Sequence, residues 1–252
     1  MRVTVLGKSP AWQDAAGACS GYMVQEQGYT LLLDCGNGVF AKLREAIDYT
    51  AVDAVLVTHL HADHFFDVVP FSYALNVGPR AGTARPQLQA PPGAASCFRQ
   101  IGRCLGDESR IADAFAIAEY DPAAALRLGP FTVRLREVPH FVLTHAVELS
   151  TDSGARFTFG ADCAPNDALP EFASGTDLLM VEATSKEVPP AEAVRGHLTA
   201  REAGEIGRAA GAGRLLITHF SDELDAERVR AEATAGYGAP VELARAGAVL
   251  EL

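Results

Sequence analysis

The sequence is poor in lysine and has no cluster of basic residues. Only Lys8, Lys42 and Lys186 occur in 252 residues, and the arginines are scattered along the chain. With 32 acidic and 21 basic residues, the net charge is −11. Such a charge opposes the binding of a long polyanion, because lysine and arginine are needed to neutralise its phosphates. The composition therefore disfavours a general nucleic-acid-binding protein.

The sequence also has no apolar run that approaches the roughly 20 residues needed to cross a bilayer. The first ten residues, MRVTVLGKSP, do not resemble a secretory signal, because no apolar segment leads to a small-residue cleavage site. We therefore expect a cytoplasmic protein without membrane association. In that reducing compartment, an odd number of cysteines, five, predicts free thiols rather than disulfides.

The rest of the composition is that of a globular chain, with 48% hydrophobic and 21% charged residues. Strand and helix patterns alternate without a low-complexity break, which favours a single domain over residues 1–252. Apolar runs such as DAVLVTH (53–59) and DLLMVEA (177–183) predict strands that are covered on both faces. Strands followed by helices fill the first half, and the second half repeats this order. We expect an α/β protein with two sheets packed face to face and helices outside.

Two helix predictions bear on the later argument. The segment FFDVVPFSYAL (65–75) predicts a helix that is interrupted at Pro70. The segment TAREAGEIGRAAGAG (199–213) predicts an amphipathic helix that is closed by glycine. Both follow apolar strands, so they are expected to cover the outer faces of the sheets.

Histidine is scarce and unevenly distributed. Of seven histidines, three fall in THLHADH (58–64), directly after an apolar strand. Alternate residues of a strand point to the same side, so His59 and His61 can reach one point in space. Asp63 and His64 lie beyond the strand and can face a second point nearby. Imidazole and carboxylate ligands suit zinc, manganese or iron, and two adjacent metal ions are an arrangement used for hydrolysis.

Other polar residues also stand where apolar runs end. His140 follows FTVRLREVP, Asp162 follows RFTFGA, and His219 follows RLLIT. Taken singly, a histidine or aspartate at a strand end is more often a cap or a turn residue. Taken with THLHADH, these residues predict a cluster along one edge of the sheets, where functional side chains on loops commonly gather.

At this point the chain resembles the metallo-β-lactamase superfamily over almost its full length. The resemblance rests on RVTVLG, LLLDCGNG, THLHADH, VPH, GAD, EAT and LLITHFS, which occur in the family's order. It implies a four-layer αββα sandwich that holds two divalent metal ions, zinc or alternatively manganese or iron. It implies seven ligands: His59, His61 and His140 for the first ion, Asp63, His64 and His219 for the second, and Asp162 as a bridge.

Within the superfamily, GHLTAREAG (196–204) and EATS (182–185) resemble elements of the ribonuclease Z and phosphodiesterase branch. The resemblance implies that His197 contacts the scissile phosphate and assists the leaving group. From the residues alone, Glu182 either orients His197 or caps the strand before it, and Asp34 either hydrogen-bonds a ligand histidine or ends a strand. Asp63, His197 and Glu182 are the candidate catalytic residues.

The chain departs from ribonuclease Z in one respect. That family carries a long insertion between its third and fourth motifs, an arm that grips tRNA, whereas only 22 positions separate His140 from Asp162 here. Without an arm and with an acidic composition, the sequence favours small phosphodiesters such as cyclic nucleotides over tRNA. We predict a phosphodiesterase that uses a metal-bridging hydroxide, since zinc lowers the pKa of bound water to about 7.

Three alternatives remain open. The first is RNA 3′-end processing in which the partner in a homodimer supplies binding surface. The second is another hydrolase of the fold, acting on a lactone, thioester or sulfate ester. The third is a non-catalytic metal-binding or scaffold protein, against which the intact ligand set argues.

Some residues near the motifs carry weaker expectations. His145 lies five positions after His140 and is expected to face away from the metals in a structural role. Trp12, Phe65 and Phe66 are candidates for the wall of the pocket, although core packing is the usual role of such side chains.

Overall fold

Two seven-stranded sheets organise the computed structural model, which describes residues 1–190 and 192–252. In spatial order, the first sheet contains β14 (Val249–Glu251), β1 (Arg2–Gly7), β2 (Gly21–Glu26), β3 (Tyr29–Leu33), β4 (Ala54–Leu56), β5 (Gln87–Ala90) and β6 (Ala116–Glu119). The second contains β13 (Glu242–Leu243), β12 (Arg214–Thr218), β11 (Leu178–Glu182), β10 (Arg156–Phe159), β9 (Thr144–Ser150), β8 (Phe131–Val138) and β7 (Leu126–Leu128). Each sheet is formed mainly by one half of the chain, as predicted.

Both sheets change from antiparallel to parallel pairing along their width. In the first sheet, β14, β1, β2 and β3 pair antiparallel, and β3 through β6 pair parallel. In the second, β7 through β10 pair antiparallel, and β10 through β13 pair parallel. The last strand, β14, returns to the first sheet, where Leu250 lies opposite Val3. The two halves therefore share one strand pattern.

The space between the sheets is filled by apolar side chains from both of them. Leu31 and Leu33 of β3 point into this core, whereas Leu32 between them points to the outer face, where helices cover it. The ring of Tyr22 lies 5.1 Å from that of Phe159 in the opposite sheet. Because the strands bury both faces, their sequences read as continuous apolar runs rather than as alternating ones.

Helices cover the outer face of each sheet and complete the predicted four-layer α/β sandwich. Those of the first half are α1 (Val39–Ala46), α2 (Ala62–Phe65), α3 (Val68–Asn76), α4 (Ala94–Cys104) and α5 (Arg110–Ala114). Those of the second half are α6 (Ala168–Phe172), α7 (Ala200–Ala210) and α8 (Ala226–Tyr237). The buried residues of α1, α3, α4 and α5 join the outer face of the first sheet, and those of α6, α7 and α8 join that of the second.

The helix predicted around Pro70 is interrupted at a different place. The break lies between Phe65, which ends α2, and Val68, which begins α3. Pro70 is therefore in the first turn of α3, where a missing N–H costs no helical hydrogen bond. At the break, the Asp67 carboxylate accepts a hydrogen bond from the backbone N–H of Phe40, 2.8 Å away. The prediction of a break was right and its position was wrong.

The helix predicted over 199–213 is confirmed with slightly shorter bounds. Thr199 caps it through a capping box, since its hydroxyl accepts from the Glu202 N–H and the Glu202 carboxylate accepts from the Thr199 N–H. The helix ends at Ala210, and the next residue, Gly211, has a φ of 61°, in the left-handed region that favours glycine.

All five cysteines lie within the described residues and are free thiols, as the sequence predicts. Three of them, Cys19, Cys35 and Cys163, are buried. Among the helices of the described ranges, the longest has 12 residues, and none is long and apolar enough to cross a membrane.

Glycine allows α7 and α8 to pack closely. A Cβ atom at Gly204 would lie 2.1 Å from the backbone oxygen of Ala233 in α8. We expect Gly204→Ala to lower the free energy of unfolding by about 1–3 kcal/mol, because the backbones must separate. Denaturant unfolding measures this value, and the exposed Arg208→Ala in the same helix is the control, expected within about 0.5 kcal/mol of the unmodified protein. An unchanged stability of Gly204→Ala would contradict this packing.

Candidate metal centre

The seven ligands predicted from the sequence lie together where strands of both sheets end. The segment after β4 provides four of them, and the turns after β8, β10 and β12 provide one each. They are His59, His61, Asp63, His64, His140, Asp162 and His219. Residues far apart in the chain meet here because these strands finish at the same edge of the sandwich.

The first group consists of His59, His61 and His140, whose donor nitrogens lie within 4.8 Å of one another. His140 Nε2 is 3.0 Å from His61 Nδ1. The ring of His59 lies 4.9 Å from that of His61 and 5.1 Å from that of His140. Three imidazole nitrogens therefore converge on one point, the arrangement expected of three protein ligands to a single ion.

The second group consists of Asp63, His64, Asp162 and His219, all of them buried. His219 Nε2 lies 3.1 Å from Asp63 Oδ2 and 3.3 Å from His64 Nε2. These donors again lie within 4.8 Å of one another. Two imidazoles and two carboxylates thus face a second point beside the first.

Asp162 lies between the two groups. Its Oδ2 is 3.3 Å from His64 Nε2 and 3.5 Å from His219 Nε2 in the second group. The same oxygen is 4.0 Å from His59 Nε2 and 3.9 Å from His140 Nε2 in the first. A carboxylate in this position can contact both groups, as a bridging ligand does.

Several donor atoms of this cluster have no hydrogen-bond partner among the described residues. His59 Nε2 and both carboxylate oxygens of Asp162 are buried and unpaired. An unpaired buried polar atom costs about 1–3 kcal/mol, and a charged one costs more. A divalent cation would satisfy all of these atoms at once. The donor set, five imidazoles and two carboxylates, therefore fits divalent metal ions such as zinc, manganese or iron.

Carboxylate and carbonyl oxygens orient two of the histidines. His64 Nδ1 lies 2.7 Å from Asp34 Oδ2, and His140 Nδ1 lies 2.7 Å from the backbone oxygen of Gly196. A carbonyl or an ionised carboxylate oxygen only accepts, so Nδ1 must donate in both cases. Nε2 is then left free to face the cluster, which is how metal ligands usually have their tautomer fixed. Asp34, for which the sequence left two alternatives, contacts a histidine of the cluster.

Threonine hydroxyls orient two further histidines. Thr184 Oγ1 lies 2.9 Å from the backbone oxygen of His219 and 2.7 Å from its Nδ1. Because the hydroxyl donates to the backbone oxygen, it accepts from Nδ1–H and leaves Nε2 of His219 free. Thr58 acts in the same way, since its hydroxyl donates to Asp34 Oδ2 and lies 3.0 Å from His59 Nδ1.

The sequence reasoning missed Thr58, Thr184 and the carbonyl of Gly196. Each stands inside one of the motifs named above, one or two positions from His59, Glu182 or His197. Their position in the motif was therefore the available signal. Residue type gave none, because threonine hydroxyls are common and every residue has a carbonyl group.

Burial and neighbouring charges shift the pKa values of three residues of the cluster. Burial and the neighbouring His64 lower the pKa of His59 well below its ordinary value. Burial raises the pKa of Asp162, but His219 and His64 outweigh it and hold that pKa well below the usual range. Neutral imidazole and ionised carboxylate are the forms that bind metals. His64 differs, because Asp162 and Asp34 outweigh burial and raise its pKa well above the ordinary value.

Backbone strain is concentrated at the cluster. Asp34, Ala161 and His219 have φ values of 58°, 51° and 49°, in the left-handed region that non-glycine residues rarely adopt. Asp34 contacts His64, Ala161 precedes Asp162, and His219 belongs to the second group. Such strain persists where the surrounding structure holds a residue in a functional position.

Glu182 and His197 form a hydrogen-bonded pair beside the second group. His197 Nδ1 lies 2.8 Å from Glu182 Oε1, and Glu182 is fully buried at the end of β11. Glu182 also accepts from the backbone N–H groups of Cys163 and Thr184, at 3.1 and 3.0 Å. Of the two alternatives left by the sequence, the geometry shows the one in which Glu182 contacts His197. Nδ1 of His197 donates to the carboxylate, and Nε2 is free for another contact.

The environment of His197 favours its protonated form. Burial lowers its pKa, but the hydrogen bond and charge of Glu182, followed by the charges of Asp162 and Asp63, outweigh burial and raise it. The ring lies 5.0 Å from that of His140 and 6.0 Å from that of His219. His197 therefore borders both groups, in surroundings that favour the imidazolium form.

The remaining candidates differ in burial and in their contacts. His145 is buried, its Nδ1 lies 3.3 Å from the Tyr120 hydroxyl, and it belongs to none of the ligand groups found among the described residues. Phe65 is buried in the core, whereas Phe66 is partly exposed. Trp12 is half-exposed, and its Nε1 donates to Ser221 Oγ, 3.1 Å away.

Fold, cluster and sequence together define the class of this protein. Residues 29–220 match the Beta-lactamase superfamily domain. The chain belongs to the metallo-β-lactamase superfamily, in its ribonuclease Z-like branch, and is a metal-dependent hydrolase.

Two relatives and two solved structures are similar to this chain over almost its full length. The probable metallo-hydrolase YhfI of Bacillus subtilis is 32% identical over 251 residues, which cover 100% of each chain. The crystal structure of YhfI has a TM-score of 0.87 at 29% identity, covering 99% of this chain and 98% of YhfI. Ribonuclease Z of Myxococcus xanthus is 29% identical over 304 aligned positions, covering 100% of this chain and 98% of the ribonuclease. A diphosphatase of the PhnP family shares the fold, with a TM-score of 0.75 at 23% identity, covering 100% of this chain and 97% of the diphosphatase.

Proposed function

We propose that this protein is a dinuclear metal-dependent phosphodiesterase that acts on small phosphodiesters such as cyclic nucleotides. The observation that carries the proposal is the Glu182–His197 pair, held at 2.8 Å beside a two-part ligand cluster. The cluster suits the attack of water on phosphorus, and the pair suits the departure of the alcohol.

The proposal assigns the two groups to two ions. His59, His61 and His140 would hold one ion, Asp63, His64 and His219 the other, and Asp162 would contact both. When bound, divalent ions in such a site polarise phosphoryl oxygens and lower the pKa of coordinated water. The protein's part is to fix the donors, and Asp34, Thr58, Thr184 and the Gly196 carbonyl do so by orienting four imidazoles.

His197 is assigned to the leaving group. Its Nδ1–H donates to Glu182, so Nε2 can carry the second proton of the imidazolium towards a departing alkoxide oxygen. Glu182 stabilises that charge and fixes the ring, while its own contacts to two backbone N–H groups keep the carboxylate in place. Water adds to phosphorus as the P–O bond to the alcohol breaks, the alcohol oxygen takes the proton from Nε2, and a phosphate monoester remains. In a cyclic nucleotide, the new hydroxyl and the monoester stay on the same ribose.

Ribonuclease Z-like processing of RNA is the second candidate, supported by the ribonuclease Z of Myxococcus xanthus. Its alignment extends over 304 positions, more than the 252 residues of this chain, so the ribonuclease has segments that this chain lacks. Between His140 and Asp162, the structure places β9, a turn and β10, with no inserted arm within those described residues. The net charge of −11 further disfavours a tRNA substrate.

A substrate panel tests the proposal. Metal-loaded protein is incubated at physiological salt with a cyclic nucleotide, bis(p-nitrophenyl) phosphate, a lactone, a thioester, a sulfate ester and precursor tRNA. We expect hydrolysis of the small phosphodiesters and poor cleavage of tRNA. Efficient tRNA cleavage would favour the second candidate, and turnover of a lactone, thioester or sulfate ester alone would favour another hydrolase of the fold.

Thr184 provides a test of the second ion's site. Thr184→Val removes the hydroxyl that fixes the His219 tautomer and keeps the side-chain shape. We expect affinity for one of the two ions to fall about 10- to 100-fold, the range found when such orienting partners are removed. Metal titration calorimetry measures the change. Thr184→Ser, which keeps the hydroxyl, is the control, and equal loss in both variants would contradict the role of the hydroxyl.

A further inference from the structure

Three exposed apolar residues follow His140 in the loop between β8 and β9. Phe141, Val142 and Leu143 are 53%, 38% and 43% exposed. Exposed apolar surface is unfavourable in water, and a consecutive run of it beside a catalytic centre commonly marks contact with a ligand. Their position directly after a proposed metal ligand places this surface at the mouth of the site.

Phe141 lies against the residues that would handle the leaving group. Its ring centroid is 5.8 Å from that of His197 and 5.1 Å from that of His140. The ring also packs on the backbone of Gly196, because a Cβ atom there would lie 2.3 Å from Phe141 Cε2. The absence of a side chain at position 196 therefore lets the Phe141 ring approach His197, while half of its surface stays open to solvent.

We propose that Phe141 is a specificity-determining residue that stacks on a planar ring carried by the leaving alcohol, so that nucleoside phosphodiesters are the preferred substrates. This inference rests on the proposed function. A leaving oxygen within hydrogen-bond distance of His197 Nε2 brings the group attached to it next to the exposed face of Phe141. Stacking of a nucleobase on an aromatic side chain stabilises binding and tolerates any base, because every base has a π face.

Trp12 is another half-exposed aromatic residue, with 50% of its surface exposed. Its indole is anchored to Ser221, two positions after His219, on the side of the second ligand group. Phe141 instead contacts the rings of His197 and His140 directly. Phe141 is therefore the aromatic residue on the leaving-group side of the site. The variant Trp12→Ala tests the aromatic residue on the other side.

Two substrates that differ only in the base test this proposal. Adenosine 3′,5′-cyclic phosphate and methyl riboside 3′,5′-cyclic phosphate release the same kind of secondary alcohol, and only the first carries a planar ring. We expect Phe141→Ala to lower kcat/KM for the adenosine substrate about 5- to 150-fold, the range that base stacking on an aromatic side chain covers. The abasic substrate should change less than about threefold. The effect should appear mainly in KM.

Two further variants separate stacking from other effects. Phe141→Leu keeps apolar bulk without an aromatic face, so it should resemble Phe141→Ala if stacking is responsible. Val249→Ala, at an exposed valine of β14 outside this loop, is the control and should leave hydrolysis of both substrates unaffected. Metal content, measured on each variant, should stay unchanged and show that His140 has not moved.

The outcomes distinguish the two proposals. Equal loss for the two substrates in Phe141→Ala would overturn the assignment of Phe141 and leave the phosphodiesterase proposal standing. A base-dependent loss in Trp12→Ala but not in Phe141→Ala would overturn it as well, by moving the stacking contact to the other side. Hydrolysis of neither substrate by the unmodified, metal-loaded protein would contradict the proposed function, and the inference with it.

Discussion

Replacing Asp162 by alanine is expected to lower the metal content from two equivalents towards one and hydrolysis of a phosphodiester by about 10³-fold or more. Asp162 is the residue whose Oδ2 lies within 4.0 Å of Nε2 atoms in both ligand groups. In the proposed dinuclear site, its removal would take a ligand from one ion and a shared negative charge from both. Losing one ion removes several kcal/mol of charge stabilisation in the transition state.

Elemental analysis of freshly purified protein and initial-rate measurements check this prediction together. The matched control is Asp167→Ala, five positions later, whose exposed side chain caps no backbone group at the start of α6. It should retain two equivalents and normal activity. If Asp162→Ala also retained two equivalents, Asp162 would not be a ligand.

Replacing His197 by alanine should leave both metals and the fold in place while lowering kcat about 10²- to 10⁴-fold, the usual contribution of a positioned general acid. The reason is geometric, because His197 hydrogen-bonds Glu182 through Nδ1 and keeps Nε2 free. A sixth imidazole ligand or a core histidine would behave differently, since its loss would lower metal content or stability. Metal analysis and thermal unfolding of the same preparation separate these cases.

The dependence on the leaving group sharpens the His197 prediction. With nitrophenolate, which needs little protonation to depart, the loss caused by His197→Ala should shrink. Glu182→Gln should also lower kcat, because the amide no longer stabilises the imidazolium charge and its NH2 group replaces an oxygen that accepts a hydrogen bond from a backbone N–H. An equal loss for good and poor leaving groups would assign His197 to phosphate binding alone. No loss at all would remove it from the reaction.

The sheets and the candidate ligands followed from strong local signals. Strands buried on both faces leave continuous apolar runs, as in DAVLVTH, and a histidine-poor chain that places three histidines in THLHADH marks a special site. The sequence indicates less about which distant strands pair. Nothing in GAVLEL (247–252) indicates that β14 returns to pair with β1, because that pairing depends on contacts that form only when the sandwich packs.

Element boundaries near the site were the least predictable part. The apolar pattern of FVLTHAVELS (141–150) predicts a strand from Phe141, but β9 begins only at Thr144, because the chain between β8 and β9 turns to bring His140 to the cluster. The residues before α4 are rich in Gly, Pro and Ala, a composition that predicts a loop, and α4 begins at Ala94 at the end of this segment. Between β8 and β9, tertiary contacts override the local pattern. The single domain over residues 1–252, the cytoplasmic location and a homodimer stay predictions.

One titration tests the central claim most directly. Metal-free protein is given zinc in increments, and hydrolysis of adenosine 3′,5′-cyclic phosphate is measured against the number of equivalents bound. The account predicts little activity up to one equivalent and a steep rise that ends at two. Full activity at one equivalent would contradict the dinuclear site, and no hydrolysis at two equivalents would contradict the phosphodiesterase itself.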